Sequence, residues 1–178
     1  MNELNAIQAA DSPNRHVSLT TGVWRFMTIA GQSVTGFNPR QAIMYLGLQF
    51  EELAEKIEVM RGGTITQSAG DELLNLSTFL QAWAKRFKEG DHMGDLARSS
   101  HKDIIDADYD LAFVSVAALY STAKDCLGAI MEGNRSNLDK FPGGVCVRDG
   151  NGKVVKPAGW EPPNFEPFVD TSVRDGES

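Results

Sequence analysis

The stretch PRQAIMYLGLQFEELAEKIEVMRGG, residues 39–63, decides the fold that the sequence predicts. Pro39 suits the first turn of a helix, where its missing N–H costs no hydrogen bond, and Gly62-Gly63 suits the end of one. Between these ends, apolar residues recur three and four positions apart, which is the spacing of one helix face. The pattern predicts a long amphipathic helix whose apolar stripe is Ile43, Leu46, Phe50, Leu53, Ile57 and Met60.

Three carboxylates, Glu51, Glu52 and Glu55, lie close together near the middle of this helix. A solvated helix face is polar along its length, whereas a mixed acidic and apolar stripe indicates acids that bind something. The ordinary alternative stays open, because E-E-x-x-E on a helix is most often a solvated face. Glu52 and Glu55 belong to such a mixed stripe, together with Tyr45, Leu48 and Val59.

Helical spacing and turn residues predict the rest of an all-α fold. Four other helices are predicted at residues 18–30, 71–88, about 101–123 and about 125–138, with loops at 64–70 and 90–100. Segments 145–148 and 153–156 flank a Gly-rich turn, which predicts a small β-hairpin. The predicted architecture is therefore a helical bundle with a small C-terminal β-hairpin and an extended tail.

Length and composition limit the domain organisation and the class of partner. The 178 residues suit one domain, which we expect to comprise a flexible N-terminal arm at 1–17, an all-α domain at 18–140, and a hairpin with a Pro-rich tail at 141–178. The formal charge of -7 argues against nucleic acid as a partner. No apolar run approaches the roughly 18 residues of a membrane span, and the start does not resemble a signal peptide. Two cysteines without metal spacing favour a reducing cytoplasm.

A second acidic pair lies on the predicted helix 101–123, where Asp106 and Asp110 share a face with Phe113 and Tyr120. If the two acidic groups meet, like charges about 4 Å apart repel by about 4 kcal/mol at an effective dielectric of about 20. Several carboxyl groups must then either be protonated or bind divalent cations. Oxygen ligands without nearby Cys or His favour Mg²⁺ or Mn²⁺.

A di-iron carboxylate bundle is the competing metal site, but it requires two Glu-x-x-His pairs. The one candidate pair is Glu89 with His92, which spans Gly90 in a predicted loop, so we reject this site. The sequence also contains no P-loop, dinucleotide-binding fingerprint or nucleophile elbow.

The acidic motifs Glu51-Glu52-Leu53-Ala54-Glu55 and Asp106-Ala107-Asp108-Tyr109-Asp110 resemble those of the all-α nucleoside triphosphate pyrophosphohydrolases of the MazG type. That superfamily includes phosphoribosyl-ATP pyrophosphohydrolase. The tail is similar to phage or bacterial cassette-type members, which carry N-x-x-K, G-K-V-x-K and W/Y-x-P-P in this order. The matching segments here are residues 137–140, 152–156 and 160–163.

The chain also departs from the family pattern. The first acid of an E-x-x-D pair falls on Ala107, so Asp106 must serve instead. Asn134 stands where the family usually has His. Residues 64–100, with their extra helix, look like an insertion in the catalytic domain relative to shorter members.

The resemblance implies a metal-dependent nucleotide pyrophosphatase that converts a (d)NTP and water to the (d)NMP and pyrophosphate, with dGTP or GTP as the first substrate to test. It implies Mg²⁺, with Mn²⁺ as a substitute, and a homodimer or homotetramer. The implied metal ligands are Glu52, Glu55, Asp106 and Asp110. Glu51 and Glu52 are the implied catalytic residues, with Glu51 holding a further metal or taking the proton from water.

Four residues are expected to bind the nucleotide: Asn137, Lys140, Trp24 and Phe26. Each has an ordinary alternative: a helix cap for Asn137, a helix-end cation for Lys140, and core packing for the aromatics. Lys153 and Lys156 are expected to be surface charges of the hairpin in preference to nucleotide contacts. The rival function is a non-catalytic helical oligomerisation or interaction protein whose acidic face is merely solvated.

Overall fold

The computed structural model describes residues 18–63, 66–150 and 153–170. The predicted N-terminal arm at 1–17 and the end of the predicted tail lie outside the described residues. The described chain forms six α-helices and two short 3₁₀ turns, Pro142–Gly144 and Glu166–Phe168. The helices are α1 Leu19–Ile29, α2 Pro39–Gly62, α3 Gln67–Glu89, α4 Met93–Arg98, α5 His101–Thr122 and α6 Cys126–Leu138. The all-α class is therefore confirmed.

Capping residues set the helix boundaries where the sequence predicted them. The side chains of Ser18, Asn38 and Asp125 each accept a hydrogen bond from a backbone N–H in the first turn of α1, α2 and α6. Such caps satisfy N–H groups that have no partner inside the helix. Pro39 begins α2 and Gly63 caps its end, as predicted.

Two of the predicted loops contain helix. Helix α3 begins at Gln67, because the Thr66 side chain caps it by accepting from the backbone N–H of Ala69. The predicted loop 90–100 contains α4. Gly90 ends α3 with a φ of 96°, a left-handed conformation that glycine adopts without steric cost, and the chain then turns into α4.

The predicted C-terminal β-hairpin is not formed as a pair of strands in the described residues. Arg148 and Val154 form a single antiparallel bridge, with backbone hydrogen bonds of 2.9 Å from Asp149 to Lys153 and from Val155 to Val147. Residues 151–152 of the predicted turn lie outside the described part. Pro157 has no N–H to donate, and it follows the bridge closely enough to limit the ladder.

The chain divides into two compact units. One contains residues 35–107, and the other contains the described residues up to 34 and from 108 onward. Helix α5 begins in the first and continues in the second. Each unit has its own packing.

In the 35–107 unit, α2 packs against α3. Ala54, Ile57 and Leu80 form its buried cluster, which Phe50 and Leu73 extend. The helices approach closely at Gly47, where an added Cβ would lie 2.8 Å from the carbonyl oxygen of Ala84.

In the other unit, α1 packs against α6, and the tail lies back on α6. Gly22 of α1 faces Asn134 of α6, and the rings of Phe26 and Phe141 are 5.0 Å apart. The indole Nε1 of Trp160 donates to the carbonyl oxygen of Ser136 at 2.7 Å. Helix α6 thus anchors both the first helix and the tail.

Candidate functional site

The three acids of α2 lie in different surroundings. The buried positions of α2 are Ile43, Gly47, Ala54 and Ile57, and helical geometry places Glu52 and Glu55 on the opposite side. Both glutamates are exposed, and Val59 on the same side is 79% exposed. The mixed stripe that the sequence predicted is thus a surface away from the α2–α3 core.

Glu51 lies at the edge of the α2–α3 contact and has a cationic partner. The Lys88 Nζ of α3 donates to Glu51 Oε1 at 2.7 Å, and both side chains are partly exposed. Glu51 is therefore an ion-pair partner between two helices. The predicted role of Glu51 at a metal or a water stays a prediction.

Asp106 and Asp110 are exposed on α5, a helix with no buried residue. Their four-residue spacing places them on one face, as predicted. Glu52 with Glu55 on α2, and Asp106 with Asp110 on α5, are thus exposed carboxylate pairs, whose oxygen donors suit Mg²⁺. Within residues 18–63, 66–150 and 153–170, no group of three or more His, Cys, Asp or Glu is arranged to hold a metal ion. The four-ligand metal site stays a prediction.

Sequence reasoning missed Glu58, a carboxylate with strong partners. The hydroxyl of Ser77, which is 1% exposed, donates to Glu58 Oε1, and Arg61 Nε donates to Glu58 Oε2 at 2.9 Å. These hydrogen bonds, from Ser77 first and Arg61 second, hold the pKa of Glu58 below its usual value. The sequence feature that could have predicted this contact is Ser77, a polar residue on the apolar face of α3 between Leu73 and Leu80. A buried hydroxyl there needs a hydrogen-bond partner.

Three of the four predicted nucleotide-binding residues come together. The Lys140 Nζ donates to Asn137 Oδ1 at 2.7 Å and lies 5.9 Å from the centre of the Phe26 ring. The same Nζ lies 5.6 Å from the ring centre of Trp160 in the tail. Trp24 makes no ring contact with this group in the described part of the chain; its carbonyl oxygen accepts from the Thr28 hydroxyl at 2.8 Å.

An ion-pair network beside this group fixes the tail on α6. Arg135 donates to both oxygens of Glu132, at 2.7 and 2.8 Å, and to Asp139 at 2.6 Å. The backbone N–H of Asn164 in the tail donates to Glu132 at 2.8 Å. Arg135 first, then this N–H, lowers the pKa of Glu132 to about 2, and the carboxylates raise the pKa of Arg135.

A cleft of about 300 Å³ opens between this network and the tail. Arg135, Asp139 and Pro142 line one side, and tail residues 157–161 line the other. The volume is at the small end of the range for ligand pockets. Trp160 belongs both to the cleft wall and to the group around Lys140.

Comparisons of this chain with protein-family models, with curated proteins and with solved structures find no match. The resemblance to the MazG-type pyrophosphohydrolases therefore stays a prediction from the quoted motifs. No single described helix is long and apolar enough to cross a membrane, and α5 with α6 meets that test only as a pair bent by 116°.

Proposed function

We propose that this chain is a metal-dependent nucleoside triphosphate pyrophosphohydrolase, which cleaves a (d)NTP to the (d)NMP and pyrophosphate and acts as a homo-oligomer. One observation carries the proposal. The Lys140 ammonium, from the N-x-x-K motif that also supplies Asn137, lies 5.9 Å from the ring of Phe26 on the first helix, which the sequence selected separately. An ammonium beside aromatic rings suits a ligand that combines phosphates with a base.

The carboxylates suit the metal side of this reaction. Glu52 and Glu55 on α2, and Asp106 and Asp110 on α5, are exposed oxygen donors, each pair on one face of its helix. In this proposal they hold Mg²⁺, which when bound neutralises phosphate charge and lowers the pKa of water. Lys140 binds the phosphate chain as a point charge, and Asn137 orients the lysine by accepting from it.

The proposed homo-oligomer is supported by α5. Ile105, Tyr109, Phe113 and Tyr120, which helical spacing places on one side of the helix, are 62–69% exposed. An exposed apolar patch of this kind marks an interaction surface. A second copy packed on α5 would cover this surface and bring further carboxylates close to those of the first.

The proposal is tested by incubating the purified protein with each common NTP and dNTP and either Mg²⁺ or Mn²⁺, and by measuring pyrophosphate. We expect release from at least one nucleotide, with guanine nucleotides tested first, and none with chelator. If no nucleotide yields pyrophosphate with either metal, the enzyme proposal is wrong.

Glu55→Gln is the matched variant. It should abolish turnover while the metal-free melting temperature stays equal to or above that of the wild type, because removing one charge relieves repulsion. Mg²⁺ should raise the melting temperature of the wild type but raise that of the variant less. A large loss of metal-free stability would instead make Glu55 a structural residue.

The second candidate is a non-catalytic helical interaction protein whose acids are solvated. The exposed apolar side chains of α5 favour this candidate, because such a surface marks an interaction site whether or not the protein is an enzyme. The two functions differ in the nucleotide screen, since the interaction protein self-associates but releases no pyrophosphate.

A further inference from the structure

Two lysines converge on one indole ring in the tail. The Lys156 Nζ lies 4.0 Å from the ring centre of Trp160, and the Lys140 Nζ lies 5.6 Å from the same centre. Lys156 comes from the segment after the antiparallel bridge, and Lys140 follows α6. The sequence predicted Lys156 to be a hairpin surface charge, and nothing in its spacing from Lys140 indicates that both adjoin one ring.

The indole that joins them is held in place from α6. Trp160 is half-buried, and its Nε1 donates to the Ser136 carbonyl oxygen at 2.7 Å. The buried Ser136 hydroxyl in turn donates to the carbonyl oxygen of the next tail residue, Glu161, at 3.1 Å. Both lysines thus adjoin a ring that one hydrogen bond ties to Ser136, and a second ties the next tail residue to the same serine.

Two cations adjoin this ring, and the carboxylates of Asp139 and Glu161 line the adjoining cleft. Lys156 forms no ion pair with any carboxylate in the described residues, and its contact is the Trp160 face. The neighbouring cation, Arg135, differs because Glu132 and Asp139 already neutralise it. The Lys156 ammonium, held at the ring without a carboxylate partner in the described residues, is thus available to bind an anion.

We propose that Lys140, Lys156 and Trp160 form a subsite for a phosphate chain, the diphosphate end of a nucleoside triphosphate or free pyrophosphate. Ammonium groups bind phosphate as point charges, and two of them match the several negative charges of a short chain. The cleft that shares Trp160 opens beside the subsite and has room for an attached nucleoside. The identity of the ligand rests on the proposed function, whereas the subsite itself rests on the lysine–indole geometry.

Titration calorimetry with pyrophosphate, and separately with tripolyphosphate, tests the subsite in the presence of chelator. We expect Lys156→Gln to weaken binding about tenfold, the loss of one charge-assisted contact, and Lys156→Arg to retain most of it. Lys153→Gln is the matched control, because it removes the same charge three positions earlier on an exposed side chain and should change binding less than about twofold. Thermal melts of all variants confirm that they fold.

Three outcomes would overturn the subsite: no binding of either phosphate by the wild type, unchanged binding by Lys156→Gln, or an equal loss in Lys153→Gln. A titration with the preferred nucleotide then distinguishes the two sources of the phosphate chain, since a substrate subsite binds the nucleotide more tightly than pyrophosphate, and a product subsite does not. If phosphate binding depends on Lys156 but no nucleotide is cleaved, the subsite stands and the proposed function fails. If a nucleotide is cleaved and its KM is unchanged in Lys156→Gln, the proposed function stands and the subsite fails.

Discussion

Glu132 shows how one carboxylate can join a helix to the tail. Its oxygens accept from Arg135 on the same helix and from the Asn164 backbone N–H in the tail. A charged acceptor makes both hydrogen bonds stronger than a neutral one would. Glu89 differs from Glu132 because its carboxylate oxygen lies 3.9 Å from the Lys85 Nζ on an exposed helix surface.

The Glu132 interaction predicts a pH-dependent contribution to stability. Its pKa is lowered from 4.5 to about 2, so the contribution is complete above the unfolded pKa and is lost as the pH falls from about 4.5 through about 2. Glu132→Gln should therefore lower the melting temperature at pH 7, and the difference from wild type should shrink towards pH 2. Circular dichroism melts across this range measure it.

Glu89→Gln is the control for this pH series, because an exposed pair contributes about 0–1 kcal/mol. Its melting temperature should follow that of the wild type at every pH. A Glu132→Gln difference that persists unchanged at pH 2 would mean that the carboxylate charge is not what stabilises the tail.

At the scale of elements, the α2–α3 pair depends on close backbone approach. Gly47 lets α2 lie against the backbone of α3 at Ala84, and the Lys88 stem crosses the same point before its ammonium reaches Glu51. Leu53 and Met60, which the periodicity placed on the buried stripe of α2, are 47% and 59% exposed. The buried face of α2 is narrower than the predicted apolar stripe because one helix, α3, supplies most of its contacts.

Gly47→Ala should destabilise the protein by about 1–3 kcal/mol, since its Cβ would meet the Ala84 carbonyl oxygen at 2.8 Å and backbone atoms yield little. Gly70→Ala, in α3, is the matched change at an open position with nothing within 4 Å. It should stabilise by about 0.5–1 kcal/mol through helix propensity. Chemical denaturation measures both, and equal effects would refute the close approach at Gly47.

At the scale of the whole molecule, α5 has no buried residue although it carries nine large apolar side chains, of which seven are exposed. An amphipathic helix in a folded protein normally buries its apolar stripe. Tyr109, Phe113 and Tyr120 are each more than 60% exposed. The helix thus has the composition of a core element and the exposure of a surface element, which is the pattern of an interface between subunits.

Sedimentation velocity tests this interpretation. We expect the wild type to sediment as a dimer or larger assembly, and Phe113→Glu to shift it towards monomer, because a charge in an apolar interface is costly to bury. Val145→Glu changes a similarly exposed apolar residue, 60% against 63%, outside α5 and should leave the assembly intact. A monomeric wild type, or equal effects of the two variants, would contradict the interface.

The sequence by itself predicted five of the six helices of the described chain, because capping and apolar spacing act within a few residues, but it missed α4 and placed the start of α3 four residues late. It also selected Asn137, Lys140, Trp24 and Phe26 as nucleotide-binding residues, a role that stays a prediction. Only the tertiary structure decided that Lys88 pairs with Glu51, that Ser77 engages Glu58, and that Lys156 reaches Trp160. These contacts join segments far apart in the chain, and local spacing carries no information about which surfaces meet. The packing of α5 against a second copy stays a prediction.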